Sequence, residues 1–359
     1  MSTHIAPIRQ GIYRILICRP NHRLGNTLLL TPLICELEER YQGAEIDIVS
    51  EGEIAEDVFR GFFSVKTVFC LPRRGFKHPI AMLRTLFRIR RTHYDLIIDP
   101  TLGSGFARAL TRLLHGRFKI GFSDKPTRAL THAAPHAIAG RHMGHRPINL
   151  VRWAANSIQT TSQFYPPLAI HLTRDERAEG ASVVAALMAS TSREKKGPVI
   201  GIFGNATGTK RYPEAWWMDF MATLHGTLPH ASIIEIVPAH ARSMLREAWP
   251  GYYSSDIRRM AAVLAGLDLF VTADCGVMHL GSATGVTTIG LFKATALDVY
   301  APYGGCNIGF DTADASGSDT ALRVIELFEA TRDSPLLPKA VPRARRAPAQ
   351  PAHGAHIGG

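Results

Sequence analysis

DLFVTADCGVMHLGSATGVTTIGLF (268–292) decides the fold. LDLFVTAD (267–274) is a short apolar run ending on Asp274, too short for a helix and rich in β-forming residues. Gly276 to Thr284 then reads as a helix whose Gly281, Ser282 and Ala283, with Gly285 just beyond, allow close approach to a neighbouring strand. TTIGLF (287–292) is a second buried run. Strand, helix and strand in so few residues make a βαβ unit, which requires a parallel sheet.

Reading outward, the alternation continues. Upstream lie PVIGIFGN (198–205), a helix from Trp216 to Leu228, ASIIEIVPA (231–239) and a helix from Ile257 to Ala265; downstream, Asp319 to Thr331 closes the series. An earlier series has the same form. IYRILICR (12–19), AEIDIVS (44–50), VKTVFCL (65–71) and YDLIIDP (94–100) read as strands. Leu28 to Arg40, residues 79–91 and Phe106 to Leu114 read as helices. The pattern restarts after a polar helical stretch at 173–190 and the charged turn REKKG. The expectation is an α/β protein with two Rossmann-like domains facing a cleft, residues 1–170 and 171–333, with the boundary around 160–175. Residues 334–359, Pro-rich and basic with no acidic residue beyond 334, are expected to be a disordered tail.

The 359 residues suit two domains of ordinary size, and 46% hydrophobic with 20% charged residues is enough to bury two cores. No apolar run is long enough to span a bilayer, and the N-terminal stretch, broken by Arg14 and Arg19, has no secretory pattern. Cys18, Cys35, Cys70, Cys275 and Cys306 are odd in number and lack C-x-x-C spacing, so they read as core residues of a reducing, cytoplasmic protein. The formal charge of +11 favours anionic partners: a membrane surface, nucleic acid or phosphorylated substrates. Nucleic acid has no supporting motif, neither zinc-finger spacing nor an RNP-type aromatic run.

Three strand-to-helix segments carry candidate chemistry, because ligands of open α/β sheets bind outside the carboxyl ends of strands. In RPNHRLGNTLLLTPL (19–33), Gly25 permits a tight turn and close approach of a ligand; an ordinary turn reads equally well, and G-x-G-x-x-G is absent. In GNATGTKRYPEAWW (204–217), Thr207, Thr209 and Lys210 before a helix start suit a diphosphate, against the plainer reading of a capped helix with a surface lysine. In the third segment, Asp274 and His279 flank another helix start at Gly276, with an N-cap and a packing histidine as the plainer alternatives.

Together, RLGNTLLLTPL, YDLIIDPTLGSG, TGTKRYPEAWW and above all DLFVTADCGVMHLGSATGVTTIGLF resemble glycosyltransferase family 9, the bacterial heptosyltransferases, collinearly from about Tyr13 to Glu329. The resemblance implies a type B glycosyltransferase fold. Its C-terminal half would bind a nucleotide diphosphate sugar, foremost ADP-heptose. Its N-terminal half would meet a lipid-linked saccharide acceptor through the loop holding Arg23 and Gly25. By the same resemblance Thr207 and Lys210, with Thr209 beside them, fall where the family contacts donor phosphate. Asp274, Gly276 and His279 fall in its donor motif. The chain departs from the family at Asn26, where the family usually carries the aspartate favoured as general base; asparagine cannot take up a proton usefully. His22 in the same loop and Asp99 at the end of LIID are the replacement candidates, Asp99 slightly preferred, with Asn26 positioning a hydroxyl.

The leading expectation is thus an inverting, metal-independent transferase with no cofactor, moving a sugar to a lipopolysaccharide or other cell-envelope glycan. A non-catalytic sugar-nucleotide or glycan-binding relative is the alternative, with Asn26 its main support. PRRGFKHPIAMLRTLFRIRR (72–91) mixes Ile80, Leu83, Leu86 and Phe87 with Arg and Lys, which suits peripheral contact with an anionic inner-membrane surface. A sheet-packed helix with a solvated basic face is the competing reading.

Overall fold

The apolar runs become strands and the amphipathic stretches between them become helices. The computed structural model describes residues 8, 10–156, 164–190, 197–240 and 242–333. The first half comprises β1 (Arg14–Cys18), α1 (Leu24–Leu28), α2 (Thr31–Arg40), β2 (Glu45–Glu51), α3 (Ile54–Phe59), β3 (Val65–Leu71), α4 (Pro79–Arg90), β4 (Tyr94–Asp99), α5 (Gly105–Leu113), β5 (Gly116–Phe122), β6 (His132–Ala134) and α6 (Arg146–Ala154). The second comprises α7 (Arg174–Ala189), β7 (Val199–Phe203), α8 (Glu214–Thr227), β8 (Ser232–Ile236), β9 (Gly251–Tyr252), α9 (Ile257–Ala265), β10 (Leu269–Ala273), α10 (Gly276–Thr284), β11 (Thr287–Phe292), α11 (Leu297–Tyr300), β12 (Ile308–Asp311) and α12 (Gly317–Asp333). The tail from 334, and much of the stretch in which the domain boundary was expected, lie outside the described residues.

Among the described residues the strands form two six-stranded sheets, ordered β3-β2-β1-β4-β5-β6 and β12-β11-β10-β7-β8-β9. Every pairing is parallel. Both orders are the same doubly wound arrangement, in which the winding direction reverses between the first and fourth strands of each half. Those two switch points, β1/β4 and β7/β10, leave a crevice at the carboxyl ends of the strands. The expected two Rossmann-like sheets are present. β5, β6, β9 and β12, all outward of the switch points, had no clear sequence signature, because GRFKIGF is only half buried and β6 and β9 are very short.

One expected element is different. The helix placed at Leu28 to Arg40 is two helices, α1 and α2, broken at Leu29–Leu30. Pro32 has no N–H to donate to Leu28 and its ring would meet that carbonyl. The Thr31 hydroxyl donates to Leu28 O instead, at 2.7 Å. Gly25 and Asn26 therefore lie within a short helix rather than in a loop. The five cysteines are free; Cys18 is buried and the other four are only partly so.

One apolar cluster runs through both halves, from Leu33 and Leu37 of α2 through Leu168 and Ile170 to Leu280 and Ala283 of α10. Hydrogen bonds follow the same seam. Met143 N donates to Val299 O at 3.0 Å and Ile170 N to Ala283 O at 2.9 Å. His142 Nε2 meets Ala301 O at 3.0 Å, and the Tyr303 hydroxyl donates to Pro166 O at 3.1 Å. Arg258 of α9 is the most connected member and is 3% exposed. Its guanidinium donates to both carboxylate oxygens of Glu176 (2.5 and 2.7 Å), to His171 O (2.7 Å) and to Asp57 O at the other side of the seam (2.9 Å).

Two consequences can be measured. Arg258 is buried but Glu176 is only partly so, and Arg258→Met, which removes the charged hydrogen bonds, is expected to lower the unfolding free energy by about 1–3 kcal/mol in urea titrations. The Arg258 guanidinium also holds the Glu176 carboxyl down at about 2, below its ordinary 4.5. A depressed carboxylate contributes stability that is complete above pH 4.5 and is lost as pH falls toward 2. Between pH 7 and about pH 3 the wild type should therefore lose more stability than Glu176→Gln, and equal losses would remove this pair from the acid response.

Candidate active site

Both switch points open onto the same crevice. After β1 the chain runs through Arg19–Arg23 into α1, and after β10 it runs through Asp274 and Cys275 into α10. The two helix starts touch. A Cβ on Gly25 would sit 2.9 Å from His279 Cδ2 and 3.3 Å from Gly276 Cα, closer than side chains pack, and one on Gly276 would sit 3.2 Å from Gly25 N. The space that makes Gly25 necessary is thus taken by the opposite half rather than by a turn or a ligand. Gly281 performs the packing role expected of it, with Phe270 against its Cα side.

On the second half, the β7–α8 connection passes through a single 3-10 turn, Gly208–Lys210, before α8 starts at Glu214. The segment thus lies between strand and helix as expected, with the helix beginning two residues earlier than Trp216. The turn leaves Thr207 and Thr209 exposed and sends Lys210 back across the sheet edge. Lys210 Nζ lies 2.7 Å from Asp274 Oδ2, and the Thr295 hydroxyl donates to the same oxygen at 2.6 Å. The Asp274 side chain is nearly buried, whereas that of Lys210 is about one-third exposed (5% and 32%). Asp274 is not the cap of α10; that position belongs to Cys275. His279, one turn into α10, is 4% exposed and its Nδ1 has no hydrogen-bond partner among the described residues. Burial pushes its imidazole down to about 4, against the opposing pull of Asp274, so the ring is neutral at physiological pH. Lys210, Asp274, Gly276 and His279 are thereby gathered at one sheet edge, with the threonines on the loop above.

On the first half, Asn26 shares a small cleft with Arg19, Leu29, Pro100, Leu102, Met143 and Arg146. Its amide donates to Asn21 Oδ1 at 3.3 Å, and Asn21 also accepts from Arg23 N. Arg23 itself is exposed. Burial pulls the Arg19 guanidinium below its usual value, with Asp99 opposing and Arg146 assisting that shift. Arg146 is anchored by the carbonyls of Gly140 and Arg141. Neither arginine forms an ion pair among the described residues.

The two replacement candidates for a base differ in how much of them is free. Asp99 is fully buried; its Oδ1 accepts from Thr101 N (3.1 Å) and the Thr101 hydroxyl (2.5 Å), and its Oδ2 from Arg108 Nε (2.9 Å). That carboxylate is committed to holding the β4–α5 loop. His22 is partly exposed, with Nδ1 3.0 Å from Glu51 Oε2. Arg19 and Thr295 were not foreseen. Arg19 directly follows a strand end, a usable signal; Thr295 arrives from a loop whose course no local pattern reveals. Among the described residues no three His, Cys, Asp or Glu side chains gather as a metal site, and no helix is long and apolar enough to cross a membrane.

The chain is 24% identical over 309 residues to lipopolysaccharide heptosyltransferase 1 of Salmonella typhimurium, covering 81% of this chain and 92% of the relative. Its fold is similar to that of a family 9 glycosyl transferase from Veillonella parvula (TM-score 0.72, 18% identity, 90% of this chain and 98% of the other). It is also similar to E. coli heptosyltransferase WaaC, solved with ADP (TM-score 0.66, 21% identity, 88% and 99%). Residues 82–315 match glycosyltransferase family 9 (heptosyltransferase), a span that takes in β4, the TGTK turn and the Asp274 motif, and this chain belongs to that family of glycosyltransferases.

Proposed function

We propose that this enzyme transfers a heptose from a nucleotide diphosphate donor, ADP-heptose foremost, to a lipopolysaccharide acceptor, with inversion and without a metal. The observation that carries the reading is the Lys210–Asp274 pair at the second switch point, beside the uncapped start of α10 and across the crevice from Asn26. A departing diphosphate needs positive charge placed in advance. Lys210, partly exposed and held by a carboxylate, is a cation positioned to serve an anionic ligand; Thr207 and Thr209 add hydroxyl donors. The neutral His279, with its unsatisfied ring nitrogen, lines the base of the same site. The preference for ADP draws on the relative solved with that nucleotide. We assign residues 1–170 to the acceptor side and 171–333 to the donor side.

On the acceptor side, Arg19 and Arg146 flank Asn26 and suit an acidic saccharide. A single displacement at the anomeric carbon leaves the acceptor hydroxyl's proton to be removed from the first-half side. We assign that task to His22, oriented by Glu51, in preference to Asp99, whose oxygens are engaged by Thr101 and Arg108. Asn26 then holds the acceptor hydroxyl by a hydrogen bond. Peripheral residence on an anionic inner-membrane leaflet belongs to the same reading, since a lipid-linked acceptor is presented there.

Calorimetric or thermal-shift titration with ADP-, GDP-, UDP- and dTDP-sugars tests the donor: binding raises stability only for a ligand that the folded state recognises. No response to an ADP-sugar would refute the assignment. Lys210→Ala should weaken donor binding by about 1–3 kcal/mol, the worth of a charge-assisted bond, while the melting curve without ligand reports any separate loss of folding. Unchanged donor affinity would remove Lys210 from the site.

The base is tested by turnover with donor and acceptor both saturating. His22→Ala should lower kcat by ~10²–10⁴-fold with donor affinity intact. Wild-type turnover in His22→Ala, together with loss of turnover in Asp99→Asn at unchanged stability, would return the role to Asp99.

A further inference from the structure

We infer that the outer faces of α4 and α5 form a docking surface for an anionic lipid bilayer. Amphipathic helices on a sheet normally turn their apolar stripe inward. α4 buries only Ile89 fully, and directs Ile80 (66% exposed), Leu83 (66%) and Phe87 (59%) to solvent. Those three positions are spaced three and four apart, so they form one stripe along the helix. α5 covers the same face of the sheet: Ile89 of α4 and Leu110 of α5 share one buried cluster with Leu16 and Val49. It too exposes large apolar groups, Phe106 (50%) and Leu113 (52%), with Leu102 (39%) just before it.

Within the segments that carry this apolar surface the charge has one sign. Residues 72–94 and 100–123 contain no Asp or Glu, while Arg73, Arg74, Lys77, Arg84, Arg88, Arg90 and Arg91 surround the stripe and Arg112 lies on α5. Arg91 stacks over the Phe87 ring at 4.6 Å, tying a charge to the protruding aromatic. Protruding apolar side chains ringed by cations match an interface of acyl chains beneath anionic headgroups. A second copy of this chain fits poorly, since a twofold contact would set like charge against like. A polyanion such as RNA would pair with the arginines but leave the aliphatic stripe without a partner.

The surface is continuous with the crevice. The N-terminal end of α4 and the Leu102–Phe106 segment both follow carboxyl ends of strands, and Leu102 lines the cleft that holds Asn26, Arg19 and Arg146. A bilayer on this face would lie at the mouth of the acceptor side. That orientation rests on the function proposed above; the docking itself does not.

The test uses the full chain in co-sedimentation with vesicles of phosphatidylcholine alone or containing phosphatidylglycerol, at low and high salt, with two double variants, Leu83→Glu/Phe87→Glu and Arg84→Gln/Arg88→Gln. All four positions are exposed, and thermal melting confirms folding. The wild type should bind the phosphatidylglycerol vesicles and be released by salt, and each double variant should need on the order of tenfold more lipid. Failure of the wild type to bind, equal binding to both vesicle types, or binding unchanged in both variants overturns the inference. So does a wild-type dimer in sedimentation velocity that the Leu83→Glu/Phe87→Glu change dissociates, or retention of a short RNA where vesicles are not bound. Donor thermal shifts on the same proteins separate the two readings: docking lost with donor binding kept leaves the transferase assignment standing, and the reverse leaves docking standing.

Discussion

The structure turns on the backbone contact between α1 and α10. Gly25 and Gly276 bring the first turns of two helices, one from each sheet, so close that a Cβ on Gly25 would meet His279 at 2.9 Å and one on Gly276 would press on Gly25 N at 3.2 Å. Two sheets wound in the same order each place their switch point at a carboxyl edge, and this contact sets the edges against each other. Several of the candidate site residues are its sequence neighbours. Asn26 follows Gly25, and Asp274 and His279 bracket Gly276. Because the contact is made by main chain and by the edge of one imidazole, few side-chain rotamers are available to relax it.

Around that point, charge is arranged differently on the two sides. The second half stores its cation against a carboxylate, since a nearly buried Asp274 without Lys210 would carry an unpaired charge in a poor dielectric. The first half leaves Arg19 and Arg146 without an ion pair among the described residues, and burial lowers the Arg19 guanidinium against the pull of Asp99. A paired cation suits a ligand that exchanges for the carboxylate, and unpaired cations suit one that brings its own negative charge. The buried Asp99–Arg108–Thr101 group sits behind the second arrangement and keeps its loop rigid.

Much of this was legible in the sequence. The inner strands of both sheets declare themselves through apolar runs such as LFVTA and LIID, because a central parallel strand is buried on both faces and tolerates little else. Strands farther from the switch points are less buried, so β5 and β12 mix polar residues and lose the signal. Asp274 could be picked out because it follows a strand end and Lys210 because it lies in a strand-to-helix connection, but their mutual distance depends on the 3-10 turn, which no periodicity announces. Gly25 was legible as a close approach, yet the approaching group came from the other half, some two hundred and fifty residues away in sequence. Arg146 opens α6 and Thr295 lies in an irregular segment, and the place of each in the crevice is decided by tertiary packing on which local pattern is silent.

The seam between the halves is written largely in main-chain oxygens. Arg258 binds the carbonyls of Asp57 and His171, His142 that of Ala301, Tyr303 that of Pro166, and Met143 N and Ile170 N those of Val299 and Ala283. A carbonyl persists when its residue is replaced. The partners on the accepting side are therefore free to drift in sequence while the register of the two halves is kept. Away from the Gly25–Gly276 contact and the shared apolar cluster, mutational change at these accepting positions need not be matched by compensating change across the seam. In such a scaffold, recognition of one substrate diverges over generations without disturbing the wall that holds the other.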